Sequence, residues 1–204
     1  KRKRSYICSF SSKTIVYKGL MASAQLDQFY LDLHQKDFIV KMVLFHERFS
    51  TNTGSTWAMA QPFQMIAHNG EFNTIKGNRL WMKARENEIS SKFWGADLDN
   101  LKPLIEYSGS DSKSFDNVLE FLVRSGRDIF DSIMIMIPDS YSQNSKYYQN
   151  RTMNKMMRNY FVYHENFMEP WDGPAALVYT DGEFVGAKMD RNGLRPLRYT
   201  ITKD

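Results

Sequence analysis

The sequence predicts an α+β fold with antiparallel sheets. Segments that resemble β-strands are grouped at both ends of the chain, and two long helical patterns lie between them. An Asp-Gly dipeptide near the C-terminal end separates two apolar segments, as in a β-hairpin. A parallel sheet would instead require strands and helices to alternate along the chain. With 204 residues, 42% of them hydrophobic, the chain is long enough to bury a core as one domain.

The first part of the chain predicts several strands and one short helix. Residues 5–10 and 14–19 partly alternate apolar and polar side chains, which predicts a hairpin. Residues 23–33 predict a short helix. The apolar runs at 41–49 and 63–68 have polar residues at their ends, as expected of buried strands that present their last side chains to a site.

The middle of the chain predicts two helices and one buried segment. Residues 74–90 are rich in helix formers despite Gly77. Residues 113–125 have apolar side chains at helical spacing, and Gly126 can end that helix. These apolar residues are Phe115, Val118, Leu119, Leu122 and Val123. Residues 133–138 are predicted to be buried, as either a helix or a strand.

The last part predicts a surface loop, a helix and three strands. Residues 139–155 are polar and asparagine-rich, which indicates a loop or insertion, and a helix is expected near 153–165. The Asp181-Gly182 dipeptide predicts a hairpin with a two-residue turn. Residues 198–202 predict a closing strand.

Composition excludes several classes of protein. No apolar run approaches the roughly 20 residues of a membrane helix, so a soluble protein without a membrane partner is predicted. The single cysteine excludes an internal disulfide framework and an iron–sulfur cluster held wholly within the chain, and it is compatible with a reducing compartment. The basic run at 1–4 is not followed by the basic and aromatic stripe of a nucleic-acid groove, so no nucleic acid is expected.

The polar motifs contain groups suited to each end of glutamine. Arg48 follows an apolar run, and its guanidinium can donate two parallel hydrogen bonds to an α-carboxylate, with the Thr51 hydroxyl beside it. Asp111, in a glycine- and serine-rich turn, suits the α-ammonium, although this position is also typical of a helix cap. Asn69 and the backbone N–H of Gly70 offer two donors to an oxygen that becomes negative during acyl transfer.

Five motifs together resemble the class II glutamine amidotransferase domain of glutamate synthases, in which the nucleophile is N-terminal. The motifs are HERFSTNT (46–53), AHNGEFNTIKGNR (67–79), GSDSKSFDNVLE (109–120), MEPWDGPAALVYTDG (168–182) and DRNGLRPLRY (190–199). They cover nearly the whole chain in order.

The resemblance implies a fold, a reaction and site residues. The fold is that of the N-terminal-nucleophile hydrolases, with two stacked antiparallel sheets between helical layers (αββα). Arg48 and Thr51 would hold the glutamine carboxylate and Asp111 its amino group, while Asn69 and Gly70 would form the oxyanion hole. The reaction would be hydrolysis of glutamine, and the ammonia would be used elsewhere in the enzyme to convert 2-oxoglutarate to glutamate. FMN and an iron–sulfur cluster are expected there, and no cofactor or metal is expected in this chain.

The chain differs from the family pattern at the nucleophile. The family uses a cysteine at the mature N-terminus, whose own α-amino group can activate the thiol. Residue 1 here is lysine, and Cys8 lies in a segment that resembles an internal strand, so a structural role is predicted for it. Residues 1–204 are therefore interpreted as the later part of one domain, incomplete at its N-terminus and inactive alone. The organelle, electron donor and oligomeric state are not predicted.

Two alternatives stay open at this point. The chain could be a glutamine-sensing or partner-binding module without a nucleophile, or the amidotransferase domain of another biosynthetic enzyme. His46 and His68 lack further ligands at metal-binding spacing, so they are expected to support the site by packing and hydrogen bonds. Trp171 is expected in the core or as a wall of the site. The loop at 190–196 is predicted to line the pocket, with no role for any one residue.

Overall fold

The computed structural model describes residues 6–49, 56–140 and 151–203, except for the side chains of 151–153. Its α-helices are α1 (Leu26–Phe29), α2 (Ile75–Arg85), α3 (Asp111–Arg124), α4 (Ile129–Met136) and α5 (Arg151–His164), and its strands are β1 (Ile66–Gly70), β2 (Ala175–Thr180) and β3 (Val185–Met189). Short 3₁₀ turns occur at Ser23–Gln25, Leu31–His34, Trp57–Met59 and Gly95–Leu101. No helix in the described ranges is long and apolar enough to cross a membrane.

The strands form one antiparallel sheet in the order β1-β2-β3. Ile66 lies opposite Tyr179, and Gly70 lies opposite Ala175. Along β2, buried and half-buried residues alternate, as expected of a strand with one face on the core. The polar end of β1 therefore lies beside the beginning of β2.

Helix α3 begins and ends at recognisable signals. Ser110 is its N-cap, and its hydroxyl accepts a hydrogen bond from the backbone N–H of Lys113 at 3.1 Å. Gly126 follows the helix with a φ of 93°, which favours glycine. The predicted helix over 113–125 is confirmed, and it begins two residues earlier, at Asp111.

Helix α4 resolves the ambiguity at 133–138. Asp128 is its N-cap and accepts hydrogen bonds from the N–H groups of Phe130 and Asp131 at 2.8 and 3.0 Å. This cap starts a helix ahead of the apolar run, and α4 packs against α3. The buried segment is therefore helical up to Met136.

An aromatic stack joins the end of β1 to the core. Phe72 stacks on Phe115 with ring centroids 4.8 Å apart, and Trp171 meets both rings edge-on. On its other side Phe72 stacks on His68, also at 4.8 Å. All four side chains are buried. The core position predicted for Trp171 is confirmed, and the packing fixes the segment that follows Gly70.

Four predicted strands are absent from the described residues. Residues 6–19, 41–49 and 198–202 contain no strand, so the predictions of a hairpin, a buried strand and a closing strand there were wrong. Their apolar side chains are largely exposed: the exposed fraction is 91% for Phe10 and 78% for Phe45. A strand needs a neighbouring strand to pair its backbone, and these segments have none among the described residues.

Other boundaries also differ from the predictions. The predicted helix at 23–33 is divided among α1 and two 3₁₀ turns. The predicted loop at 139–155 overlaps α5, which begins at Arg151, and residues 141–150 lie outside the described ranges. The predicted hairpin between β2 and β3 exists, but its loop has four residues because Thr180 pairs with Val185. The Asp181 carboxylate accepts hydrogen bonds from two N–H groups within that loop, which stabilises the longer turn.

Candidate active site

The end of β1 requires glycine at position 70. Gly70 has a φ of 137°, and a Cβ atom there would lie 1.9 Å from the carbonyl oxygen of Pro174. The next residue, Glu71, donates its backbone N–H to that same oxygen at 3.0 Å. The strand can therefore leave the sheet at this point only with a residue that lacks a side chain. Asn69, just before it, is exposed at the surface of this turn.

His68 is buried immediately behind the Asn69-Gly70 pair. Its Nδ1 lies 2.9 Å from the hydroxyl of Ser112, and its Nε2 has no hydrogen-bond partner among the described residues. Burial lowers the pKa of His68 to about 4; the charge of Asp111 opposes this shift, and the electrostatic interactions with His46 and Arg195 add to it. At neutral pH His68 is therefore uncharged and is part of the packed interior.

Asp111, the first residue of α3, lies beside the chain that follows Gly70. One of its carboxylate oxygens accepts a hydrogen bond from the backbone N–H of Phe72 at 2.6 Å, and the other accepts one from the Ser112 hydroxyl at 3.2 Å. The residue is only half-buried. A carboxylate has about four acceptor positions, so this one retains capacity for a further donor such as an ammonium group.

The backbone of Arg48 is linked to the same end of β1 through His46. His46 Nδ1 lies 2.7 Å from the carbonyl oxygen of Arg48, and its Nε2 lies 3.2 Å from the carbonyl oxygen of His68. The Arg48 side chain is exposed and makes no hydrogen bond or ion pair with another described residue. Thr51 lies outside the described residues.

Gln61 supports β1 in a way that the sequence did not indicate. Its side-chain amide accepts a hydrogen bond from the backbone N–H of His68 and donates one to the carbonyl oxygen of the same residue, the latter at 2.9 Å. β1 is at the edge of the sheet in the described structure. The amide thus replaces a neighbouring strand at this position.

The loop at 190–196 is organised by Asp190, which is buried. Its two carboxylate oxygens accept hydrogen bonds from four backbone N–H groups, and the distances lie between 2.9 and 3.2 Å. The donors are Ala175, Asn192, Leu194 and Arg195. Burial alone would raise the pKa of Asp190, but these four donors outweigh it and the net pKa is lowered. The loop is held against the start of β2.

The same loop brings Arg195 to Asn69. Arg195 Nη1 donates a hydrogen bond to the side-chain oxygen of Asn69 at 3.1 Å. The sequence predicted that this loop lines the pocket, but it gave no role to Arg195, which is 126 residues away from Asn69. The Asp-x-Asn-Gly pattern was the available signal, because an aspartate before Asn-Gly is typical of a turn closed by its own carboxylate.

Cys8 lies in a different environment. Its thiol donates a hydrogen bond to the carbonyl oxygen of Val16 at 3.0 Å. Burial raises the pKa of the thiol, although the nearby Lys18 opposes this. A raised pKa disfavours the thiolate that a nucleophile needs, which supports the structural role predicted for Cys8.

A concave pocket of about 330 Å³ lies elsewhere, along α2. It is lined by Ile75, Lys76, Arg79, Leu80, Lys83 and Tyr107. None of the predicted site residues lines it. The polar groups at the end of β1 are a better candidate for chemistry, because the Arg195 guanidinium contacts the Asn69 amide there and the Asp111 carboxylate binds the backbone of nearby Phe72.

Comparisons with known proteins agree with these features. A family model described as glutamine amidotransferases class-II matches residues 1–204. The chain is 47% identical over 199 residues to the glutamate synthase [NADPH] large chain of Bacillus subtilis (strain 168), covering 98% of this chain and 13% of that protein. It is 46% identical over 202 residues to the ferredoxin-dependent glutamate synthase of Antithamnion sp., covering 99% and 13%.

A third relative is glutamate synthase [NADH] of Saccharomyces cerevisiae (strain ATCC 204508 / S288c), which is 45% identical over 200 residues, covering 98% of this chain and 9% of the relative. The chain thus spans about a tenth of the length of these relatives. The match covers the whole chain, including all five motifs. The chain belongs to the family of class-II glutamine amidotransferases.

Proposed function

We propose that this chain is the glutamine-binding part of the glutaminase domain of a glutamate synthase. The observation that supports this most directly is the network of hydrogen bonds at the end of β1. It links the Arg48 backbone, the segment around Asn69 and the Asp111 carboxylate. The high identity to glutamate synthases favours this reading over an amidotransferase of another pathway.

Arg48 and Asp111 bind the two charged groups of glutamine. The exposed guanidinium of Arg48 pairs with the α-carboxylate, assisted by the Thr51 hydroxyl. The Asp111 carboxylate, held by the Phe72 N–H, accepts the α-ammonium. This division fixes the orientation of the substrate, so that its side-chain amide is presented to Asn69 and Gly70.

Asn69 and Gly70 stabilise the negative charge that develops on the amide oxygen. The thiol of a cysteine from outside the given sequence gives its proton to that residue's own α-amino group, and the thiolate attacks the amide carbon. As the tetrahedral intermediate collapses, the same proton passes to the nitrogen, so that ammonia is released and a thioester remains. Water then hydrolyses the thioester to glutamate and restores the thiol. In this scheme, residues 1–204 supply the binding groups and the oxyanion hole, and they do not turn over glutamine alone.

The rest of the enzyme uses the ammonia to convert 2-oxoglutarate to glutamate with FMN and an iron–sulfur cluster. The residues of this chain do not fit such a cluster, because its one cysteine cannot supply the several thiolates required. We place both cofactors outside residues 1–204. We also propose that the complete domain has two stacked antiparallel sheets, of which β1, β2 and β3 form part of one.

Calorimetric titration of the chain with glutamine tests the binding role. Arg48→Ala removes a charge-assisted contact, so we expect glutamine binding to weaken by about 2 to 4 kcal/mol. Arg124→Ala is the matched control, because Arg124 lies at the other end of α3 from Asp111 and pairs only loosely with Glu120 at 3.9 Å. It should leave binding unchanged.

Two results would contradict the proposal. Equal losses in Arg48→Ala and Arg124→Ala would show that Arg48 has no specific role. A full-length protein that binds glutamine but releases no ammonia would instead favour the glutamine-sensing module.

A further inference from the structure

The bond between Arg195 and Asn69 determines which way the Asn69 amide points. An asparagine side chain has one acceptor, Oδ1, and one donor group, the Nδ2 amine, and a rotation of 180° exchanges them. A guanidinium can only donate hydrogen bonds. Because Arg195 Nη1 lies 3.1 Å from the Asn69 amide, the atom facing it must be Oδ1. The Nδ2 donor therefore points away from Arg195.

Arg195 is itself held in place by a buried group. The Asp190 carboxylate accepts the backbone N–H of Arg195 at 3.0 Å and that of Ala175 at 3.2 Å. Ala175 lies opposite Gly70 in the sheet. Asp190 thus bonds the loop to the first residue of β2, and that residue pairs in turn with the last residue of β1. This arrangement places the Arg195 side chain beside Asn69.

We propose that Arg195 is a positioning residue that keeps the Nδ2 donor of Asn69 directed at the reacting amide oxygen. Without it, the Asn69 side chain can rotate and present Oδ1, whose partial negative charge would repel the developing oxyanion. The proposal rests on the proposed function, since it assigns a partner to the oxyanion hole. Arg195 itself does not contact the substrate.

The kinetic test uses the full-length enzyme that contains this chain. We expect Arg195→Gln to lower kcat for glutamine by about 10- to 100-fold, which is less than loss of an oxyanion donor itself. KM should change little, and ammonia-dependent synthesis should stay at the wild-type rate. Arg195→Lys should recover part of the loss, because an ammonium can also donate to Oδ1. The exposed Arg198, three residues further on, provides the matched control Arg198→Gln.

A double-mutant cycle separates positioning from a general structural effect. Once Asn69→Ala has removed the amide, adding Arg195→Gln should cost little more. Fully additive losses would overturn the proposal. So would a raised KM with unchanged kcat, which would place Arg195 on the substrate carboxylate, and so would loss of ammonia-dependent synthesis.

A second measurement needs no catalysis and distinguishes failure of this inference from failure of the proposed function. In the chain itself, the side-chain amide resonances of Asn69 are identified by their absence in Asn69→Ala. Arg195→Gln should shift them, whereas Arg198→Gln should not. If the wild-type enzyme fails to hydrolyse glutamine, the proposed function is wrong, but these resonances still show whether Arg195 contacts Asn69. Unchanged Asn69 resonances in Arg195→Gln would overturn the positioning role of Arg195.

Discussion

Asn69 and Arg48 differ in when their contacts with glutamine would form. A carboxylate clamp at Arg48 acts on the substrate and on the transition state alike, whereas a donor at Asn69 acts on charge that develops only as the amide carbon becomes tetrahedral. Mutations of the two residues should therefore affect different kinetic constants. The distinction depends on orientation, since Arg195 holds Oδ1 of Asn69 and leaves Nδ2 available.

Asn69→Ala in the full-length enzyme should lower kcat for glutamine by roughly 10²- to 10³-fold with little change in KM. Synthesis from added ammonium should continue, because free ammonia does not need the oxyanion hole. Steady-state kinetics with both nitrogen sources measure this. Asn73→Ala, an exposed amide in the same motif, is the control. An Asn69→Ala enzyme with a raised KM and an unchanged kcat would disprove the oxyanion role.

His68 should make the stability of the chain depend on pH. Burial lowers its pKa from 6.5 to about 4, so between these values the unfolded chain binds more protons than the folded protein does. The stabilisation from neutral His68 is complete above pH 6.5 and is lost as the pH falls toward 4. The loss should be on the order of 3 kcal/mol.

To measure this effect, the free energy of unfolding in urea is determined at pH 7 and pH 4.5 for the wild type and for two histidine variants. His68→Gln should lose less free energy of unfolding between the two pH values than the wild type does. His34→Gln, which changes an exposed histidine, should behave as the wild type. If His68→Gln and the wild type lose equal free energy of unfolding between the two pH values, His68 does not cause the pH dependence of stability.

At the scale of the elements, Asp116 joins α3 to the beginning of β1. This fully buried carboxylate accepts hydrogen bonds from the N–H groups of Gln64, Met65 and Ile66 at 3.0, 2.8 and 3.2 Å. Lys113 Nζ lies 3.7 Å from it. Burial raises the pKa of Asp116, while Lys113 and the three backbone donors oppose the shift. The residue connects the helix that begins at Asp111 with the beginning of β1.

Asp116→Ala should destabilise the chain by about 3 to 5 kcal/mol, because it leaves three backbone donors and a buried ammonium without their acceptor. Chemical denaturation followed by circular dichroism provides the measurement. Asp97→Ala removes an exposed carboxylate and should change the free energy of unfolding by less than about 0.5 kcal/mol. Similar losses in the two variants would refute a connecting role for Asp116.

The helices could be predicted because their signals are local. Ser110 and Gly126 define the ends of α3, and its apolar residues repeat at helical spacing. The four incorrect strands had suitable local patterns, but a strand also depends on a partner strand that the local pattern does not contain. For the same reason the sequence predicted Asn69 as a site residue and not Arg195, since their contact joins positions 126 residues apart.

At the scale of the whole molecule, the N-terminal segment at residues 6–49 differs from the rest. Lys18 is its only buried residue, and the structure describes every residue of this segment. The exposed fraction is 91% for Phe10 and 86% for Ile39. The core, in contrast, is built from residues between Phe63 and Tyr179. The attachment of the segment to the core should therefore depend strongly on the contacts of Lys18.

Lys18 is bound to the region just before β1. Its Nζ donates hydrogen bonds to the carbonyl oxygens of Ala60 and Trp57 at 2.7 and 3.2 Å and to the Tyr6 hydroxyl at 3.0 Å. It also lies 5.7 Å from the centre of the Phe63 ring. Burial lowers the pKa of Lys18 to about 8, so the amine is still mainly protonated at pH 7.

Lys18→Met keeps the length of the side chain but removes all three hydrogen bonds, and it leaves the Ala60 carbonyl oxygen without this donor. We expect the segment to open more easily by about 2 to 3 kcal/mol, which corresponds to roughly 30- to 150-fold faster cleavage within 6–49 by chymotrypsin. Lys13→Met is the matched control. Lys13 also joins this segment to the rest of the chain, through an exposed ion pair with Glu183 in the loop between β2 and β3. Exposed ion pairs contribute little to stability. Cleavage at equal rates in the two variants, or cleavage of Lys18→Met that begins within the core, would show that Lys18 does not anchor the segment.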